Sequence, residues 1–293
     1  MRLNRKEERT AWLFVLPIML LLICFLFAPL AASLVISFMR WNVLTAPTFT
    51  GLNNFKEIFT DPVFYKSLGN TFYLMIGVPI GMVFSFMAAV ALNRKMPMST
   101  LFKVILYLPA VTNGIAMAIA WRWIFNVEYG PINQFLEWIG LTDLPNWLND
   151  EHYIKPAYII MGIWGGLGNT MLFYLASLKS IDQTYYEAAK LDGANGFQCV
   201  RHITVPLVSP ITFYILICGV IGGLQMFGSV YVMTPGGGIN RSAYTIVYYI
   251  WDKGMADQRM GVACAAAWVL GILTIIITMV QFKVRDKWVK EVQ

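Results

Sequence analysis

An all-α membrane protein with six spans is what this sequence predicts, and three observations predict it. Of 293 residues, 58% are hydrophobic and only 13% are charged, about half the charged share of a soluble domain. The apolar residues gather into six runs, each able to hold the roughly 20 residues a helix needs to cross hydrocarbon. Backbone groups find no partner in lipid, so such runs must close their hydrogen bonds internally as helices. None has the alternating ten-residue pattern of a membrane barrel.

The elements follow in order. Residues 1–11 form a basic N-terminal segment. Residues 12–39 are the first span, the core of a 29-residue stretch from Ala11 to Met39 without a charge. That stretch is too long for the apolar core of a cleaved signal peptide, so the expectation is a retained helix. Residues 67–283 form the membrane core, with spans expected at 68–92, 101–125, 157–178, 208–232 and 261–282. The fifth lies in a 38-residue stretch, Ile203 to Asn240, with no acid or base. Residues 284–293 are a charged tail.

Basic residues set the orientation. Both ends, the loop after the second span (Arg94, Lys95, Lys103) and the loop after the fourth (Lys179, Lys190, Arg201) together carry fourteen Lys and Arg. The opposite side has six: Lys56, Lys66, Lys155, Arg241, Lys253 and Arg259. This asymmetry places both termini and those two loops in the cytoplasm of a cell membrane. Residues 126–156 then lie outside, with five acids and with Trp138 and Trp147 suited to the headgroup zone.

Several chemistries are excluded. No Gly-Lys dipeptide occurs, so there is no phosphate-binding loop of the GxxxxGK[ST] kind. The glycine-rich stretch Gly162 to Gly168 lies inside the fourth span, where close helix packing is its simpler use. None of the sixteen acids falls mid-span. An ion-coupled carrier keeps an intramembrane carboxylate despite its cost of at least ~2.5–3.5 kcal/mol, so energy for pumping must come from a partner. The four Cys (Cys24, Cys199, Cys218, Cys264) are scattered and the two His are far apart, so no metal site is expected. No catalytic residue is expected either.

Neutral polar groups do occur in or beside the spans: Asn113, Trp164, Asn169, Tyr214, Gln225 and Tyr231. Amides can bridge sugar hydroxyls and rings can stack on a pyranose. The same side chains can equally bond between helices or pack in an aromatic belt. They are the candidate substrate path, with Asn169 and Gln225 foremost.

The most informative segment is the loop between the fourth and fifth spans, residues 180–206. Asp182 is placed as an N-cap before a short helical run. Gly193 stands where a left-handed C-cap would end that run. Gly196 gives a further break, after which a second short helix leads to Pro206. Ala188 and Ala189 leave a smooth surface beside the charge of Glu187.

Glu187-Ala188-Ala189, Gly193, then Ile203-x-x-Pro206 resembles the EAA motif of the permease subunits of binding-protein-dependent ABC importers, with Val205 where Leu is usual. The stretches Leu108-Pro109, 120–126, 129–133, 169–175 and 234–238 resemble the carbohydrate-uptake branch, and the likeness to the maltose-permease-type first subunit spans about residues 12–283. The resemblance implies a type I ABC importer permease fold. It also implies a second homologous permease, two ABC ATPase subunits that hold ATP and Mg, and an extracytoplasmic solute-binding protein delivering a carbohydrate. Glu187, Ala188, Ala189, Gly193, Ile203 and Pro206 would then couple this chain to the ATPases. No cofactor is implied for the chain itself.

Two alternatives stand beside a sugar importer. The same architecture could carry glycerol phosphate or another polyol derivative, whose phosphate would want a buried Arg or Lys, and Arg122, close to the outer face, is the lone candidate. A membrane enzyme acting on lipid-linked sugars would need paired carboxylates, and Asp252 and Asp257 are the nearest pair.

Overall fold

The computed structural model describes residues 5–93 and 97–285. Arg2, Arg94, Lys95 and the tail residues Lys287 and Lys290, which contribute to the charge asymmetry, lie outside the described residues. The chain divides into two packed units, residues 1–61 with 250–269, and residues 62–249 with 270–293.

In the first unit, α1 (Arg5–Leu22) passes through a π-helical turn (Ile23–Phe27) into α2 (Ala28–Ser37). A two-strand hairpin follows, β1 (Met39–Arg40) against β2 (Thr48–Phe49), antiparallel, and then α3 (Asn53–Thr60). The sequence pattern gave no sign of this hairpin, whose strands are two residues each. Buried Asn54 joins it to α3, its amide donating to the carbonyls of Ser37 and Met39 at 2.8 Å each. The carbonyl of Trp41 accepts from the Met260 N–H at 3.0 Å, and Trp268 Nε1 donates to Ser33 Oγ at 3.2 Å. Gly261 is needed here because any Cβ would strike the Met39 carbonyl. Arg259 pairs with Glu57, and Lys253 lies between Asp61 (3.9 Å) and Asp257 (3.3 Å).

The second unit is a helical bundle. Its long helices are α4 (Pro62–Met75) running on into α5 (Gly77–Leu92), α6 (Ser99–Val111), α7 (Gly114–Ile124), α9 (Ile154–Ser180) and α13 (Ser209–Leu224). Between them lie α8 (Pro131–Trp138), α10 (Gln183–Leu191), α11 (Gly196–Cys199) and α12 (Val205–Leu207), followed by α14 (Gly228–Met233) and α15 (Ile246–Trp251). The last helix, α16, is Met260–Arg285. Small residues bring backbones together. Gly77 and Gly81 of α5 face Ile159 and Ile163 of α9, and Gly168 of α9 lies on the Leu106 carbonyl of α6. Apolar association is weak as a driving force in lipid, so close backbone approach of this kind supplies much of the packing energy. Met82, Ala89, Met171, Tyr174, Leu178, Val208 and Ile215 form the core where α5, α9 and α13 meet.

Among the described residues, four helices are long and apolar enough to cross a membrane: Trp12–Ser37, Pro62–Leu92, Ile154–Ser180 and Met260–Arg285. The other two expected spans are broken. Ser99–Val111 and Gly114–Ile124 meet at 104°, and Gly196–Leu207 and Ser209–Leu224 meet at 64°; counting each pair as one span gives six. The continuous helices expected over 101–125 and 208–232 are therefore corrected. In the first, Thr112 turns to extended backbone and Asn113 starts a new helix, its Oδ1 accepting from the Ile115 N–H at 2.9 Å. In the second, α13 ends at Leu224, and the chain leaves helical geometry at Phe227 before α14.

Candidate functional site: a capped loop and a neutral cavity

The loop between α9 and α13 is built from capping interactions. Asp182 accepts from the Thr184 N–H at 2.9 Å, and these bonds hold its carboxyl below the ordinary range. At the far end of α10, the Gly193 N–H reaches the Lys190 carbonyl (3.0 Å) and the Ala194 N–H reaches that of Ala189 (2.9 Å). This is the paired bonding of a Schellman cap, and it requires the left-handed φ of +80° found at Gly193. Gly196 is not the further break expected of it; it is the first residue of α11. The turn is held instead by Asn195, whose side chain and that of Gln198 each accept from the other's backbone N–H, at 2.9 and 2.7 Å. The chain continues through a π-helical turn, Val200–Thr204, into α12 with Pro206 in its first turn. Tyr186 of α10 bonds Thr204 through their hydroxyls at 3.0 Å, tying the loop to the helix that follows.

The six residues assigned to this loop are thus gathered into one structure. Glu187 and Ala188 are exposed, Ala189 is half-buried against the turn, and Ile203 and Pro206 are half-buried where the second helix leads into α13. Sequence reading missed two neighbours. Leu191 is 90% exposed and Phe197 is 73% exposed, so the loop presents two large apolar side chains that nothing among the described residues covers. The available signal was bulky apolar residues within an otherwise polar loop.

The second feature is a cavity of about 600 Å³ between α4–α5, α9, α13 and the turn before α14. Of the six path candidates, Asn169 and Tyr214 line it. Thr170, Ser229, Tyr158, Phe173 and Phe227 join them, and the space is opened by Gly162, Gly166, Gly219 and Gly222. Hence only Gly168 of the 162–168 stretch serves close packing against another backbone, while Gly162 and Gly166 make room. The Tyr214 ring meets that of Phe173 edge-on at 5.7 Å. No Lys, Arg, His, Asp or Glu lines the cavity among the described residues.

The other four candidates lie elsewhere. Asn113 caps α7. Trp164 is 44% exposed and, two positions from Gly162, projects from the other side of α9. Gln225 is the exposed C-cap of α13, beside the lining residue Met226. Tyr231 of α14 packs its ring on Phe227 (5.3 Å) and Tyr248 (5.7 Å), one residue behind the cavity wall.

The chain resembles known proteins in sequence and in fold. Residues 77–289 match the family described as binding-protein-dependent transport system inner membrane component. The chain is 35% identical over 290 residues to a probable ABC transporter permease protein of Bacillus subtilis, YesP, covering 97% of this chain and 93% of that one. It is 32% identical to the lactose transport system permease protein LacF of Rhizobium radiobacter, covering 96% and 95%. A chain from the crystal structure of a bacterial ABC transporter involved in the import of the acidic polysaccharide alginate superposes with a TM-score of 0.85 at 23% identity, over 97% of this chain and 98% of that one. The shared architecture is the type I ABC importer permease fold. With four membrane-length helices and two bent pairs among the described residues, a capped loop leading into the second of those pairs and a family match over most of its length, the chain belongs to the inner membrane components of binding-protein-dependent transport systems, as a transport subunit and not an enzyme.

Proposed function

We propose that the chain is one of two homologous permeases of an ATP-driven importer of a sugar or oligosaccharide. A second permease completes the path, two ABC ATPases dock on the cytoplasmic 182–206 loop, and an extracytoplasmic binding protein delivers the cargo. ATP and magnesium are held by the ATPases; this chain contributes none of the groups that hydrolyse ATP.

The observation that carries the cargo assignment is the lining of the 600 Å³ cavity, which offers an amide, hydroxyls and aromatic rings with no charge. A neutral polyhydroxylated molecule suits such a lining, because its hydroxyls exchange water for amide and hydroxyl partners while the rings cover its apolar faces. A polyol phosphate would enter it unpaired, at the desolvation cost of a buried charge. Arg122, the cation considered for such a cargo, does not line this cavity.

Coupling follows from the loop. Glu187, Ala188, Leu191 and Phe197 form the face offered to an ATPase groove, the alanines allowing close approach and the two apolar side chains filling pockets. Closure of the ATPases then moves α10 to α12 as one piece, held by the Tyr186–Thr204 bond and the Gly193 cap. Beyond the 64° bend, α13 carries Tyr214, Gly219 and Gly222 in the cavity wall. A displacement at the loop therefore reshapes the cavity, and by linkage a loaded binding protein outside raises ATP turnover inside.

The test is to express the chain with its genomic neighbours, capture it and reconstitute what co-purifies. A second six-span permease and an ATPase should come with it, and lactose should be taken up where glycerol phosphate is not. Glu187→Ala should lower binding-protein-stimulated ATP hydrolysis about tenfold or more, as when a charged hydrogen bond is removed. A chain that purifies alone with no ATP hydrolysis would overturn the reading.

A further inference from the structure

The eight residues of α8 are arranged inside out. At about 100° per residue, Phe135, Trp138 and Ile139 share one face and Asn133 stands on the opposite one. A helix that faces water turns its apolar side inward. Here the amide is the inward group: Asn133 is 1% exposed, whereas Phe135, Trp138 and Ile139 are all exposed, Trp138 at 81%. The rings of Phe135 and Trp138 lie 6.0 Å apart, so the three side chains make one patch. A patch of this kind marks a membrane or protein contact.

The inward side fixes the level at which α8 sits. The Asn133 amide donates to the carbonyls of Val127 (3.3 Å) and Pro145 (3.1 Å), and its Oδ1 accepts from Trp147 Nε1 at 2.8 Å. Trp147, in the segment 146–149, packs on Phe125 (5.4 Å) and on Tyr153 (5.9 Å). Phe125 is the C-cap of α7 and Tyr153 the N-cap of α9. Thus α8 is fastened beside the ends of those two helices. The 27 residues of α9 exceed a hydrocarbon core of about 30 Å by about 10 Å at ~1.5 Å per residue, which puts its ends in the headgroup layers.

Two further observations choose lipid as what covers the patch. Ile115, Ile119 and Trp123 of α7 form an exposed apolar stripe at four-residue spacing, so lipid-facing surface runs along α7 to the level of α8. Of the two tryptophans suited to the headgroup zone, Trp147 is spent inside the protein and Trp138 is left outside, at the depth such rings favour. Residues 126–153 carry five acids and no Lys or Arg, so the attraction is apolar and owes nothing to anionic lipid.

We infer that α8 is an interfacial helix, lying along the headgroup layer of the leaflet opposite the 182–206 loop, with Phe135, Trp138 and Ile139 inserted in the lipid. Apolar faces of such helices sink about 5–10 Å into the boundary with the acyl chains. So seated, α8 sets the depth of the adjoining ends of α7 and α9 through Asn133 and Trp147. This holds whatever the cargo is.

The test uses the chain, with the subunits that co-purify, in phosphatidylethanolamine–phosphatidylglycerol nanodiscs. With the native cysteines replaced, a nitroxide is placed in turn at residues 134 to 139 and its relaxation by oxygen and by a water-soluble nickel chelate is measured. Oxygen should dominate at 135, 138 and 139 and nickel at 134 and 137, and the pattern should persist in high salt and in neutral lipid alone. As a second readout on a mild variant, the emission lost in Trp138→Phe is the Trp138 signal. Brominated lipid should quench it and aqueous iodide should not. Nickel reaching 138 as readily as 137, or iodide quenching Trp138, would put the face in water and overturn the inference. If both reagents are excluded from 135, 138 and 139 in the complex but not in the chain alone, a partner subunit covers the face and the inference fails. Exclusion that appears only with the loaded binding protein would equally make it a protein-docking surface. None of these outcomes alters the sugar reading, which stands or falls by uptake.

Discussion

Two residues decide whether the 182–206 loop, proposed above to couple to the ATPases, holds its shape. At Gly193 the φ of +80° is paired with open space where a Cβ would stand, so a substitution meets only backbone strain, roughly 1–2 kcal/mol for an L-residue in the left-handed region. Gly193→Ala should therefore speed hydrogen exchange at the Gly193 and Ala194 amides by about tenfold, with Gly193→Asn milder because Asn tolerates that region. Equal protection in all three would mean the Schellman bonds contribute nothing. Asp182 supplies the other end. The Thr184 N–H bond holds its pKa below the ordinary 3.8, so its contribution is complete above that value and is lost as pH falls through the lower, folded-state one. Protection of the Thr184 amide, corrected for intrinsic exchange, should stay flat from about pH 7 to 5 and drop only below the ordinary aspartate range. In Asp182→Asn that step should vanish while the cap remains, since Asn is an equally good N-cap.

At the scale of elements, α8 and the segment 145–147 depend on Asn133. Replacing it with Leu removes three hydrogen bonds and strands the Trp147 N–H and two carbonyls, so a loss of roughly 1–3 kcal/mol is expected. A lowered unfolding temperature and a shifted Trp147 emission would report it, while Gln134→Leu, one position along on the exposed side, should stay within about 0.5 kcal/mol. Nothing in the sequence marked Asn133 as a hub, because its partners are backbone carbonyls 6 and 12 residues away whose positions depend on the turn itself. The caps of the coupling loop were legible for the opposite reason: each acts within two to five residues, so Asp182 and Gly193 announce their roles by residue type and place. The break at Asn113 had the same kind of local signal, Asn-Gly after Pro109. An uninterrupted apolar run concealed it, since hydropathy does not register a change of direction. Of the path residues, Asn169 and Tyr214 fell on the cavity and Trp164 did not, because which side of α9 faces α5 and α13 depends on glycines that make space only once the helices have packed.

For the whole molecule, the charge asymmetry and the helix lengths make one joint prediction about the membrane. Only α9 separates the 146–149 segment from the coupling loop, and its 27 residues span about 40 Å at ~1.5 Å each, more than a hydrocarbon core of about 30 Å. The two segments must then face opposite solutions. Fourteen basic residues against six are the basis for proposing that the loop faces the cytoplasm, where anionic lipid and the membrane potential both favour them. With the native cysteines replaced, a single cysteine at Asn149 should react with a membrane-impermeant maleimide in right-side-out vesicles and one at Glu187 should not; inside-out vesicles should reverse the pattern. Both positions are exposed, so a negative result reports the membrane and not burial. Labelling of both from one side would mean α9 does not cross, which removes the six-span architecture. A clean reversal would keep the architecture and refute the reading of charge, placing the coupling loop where no ATP-hydrolysing partner could reach it.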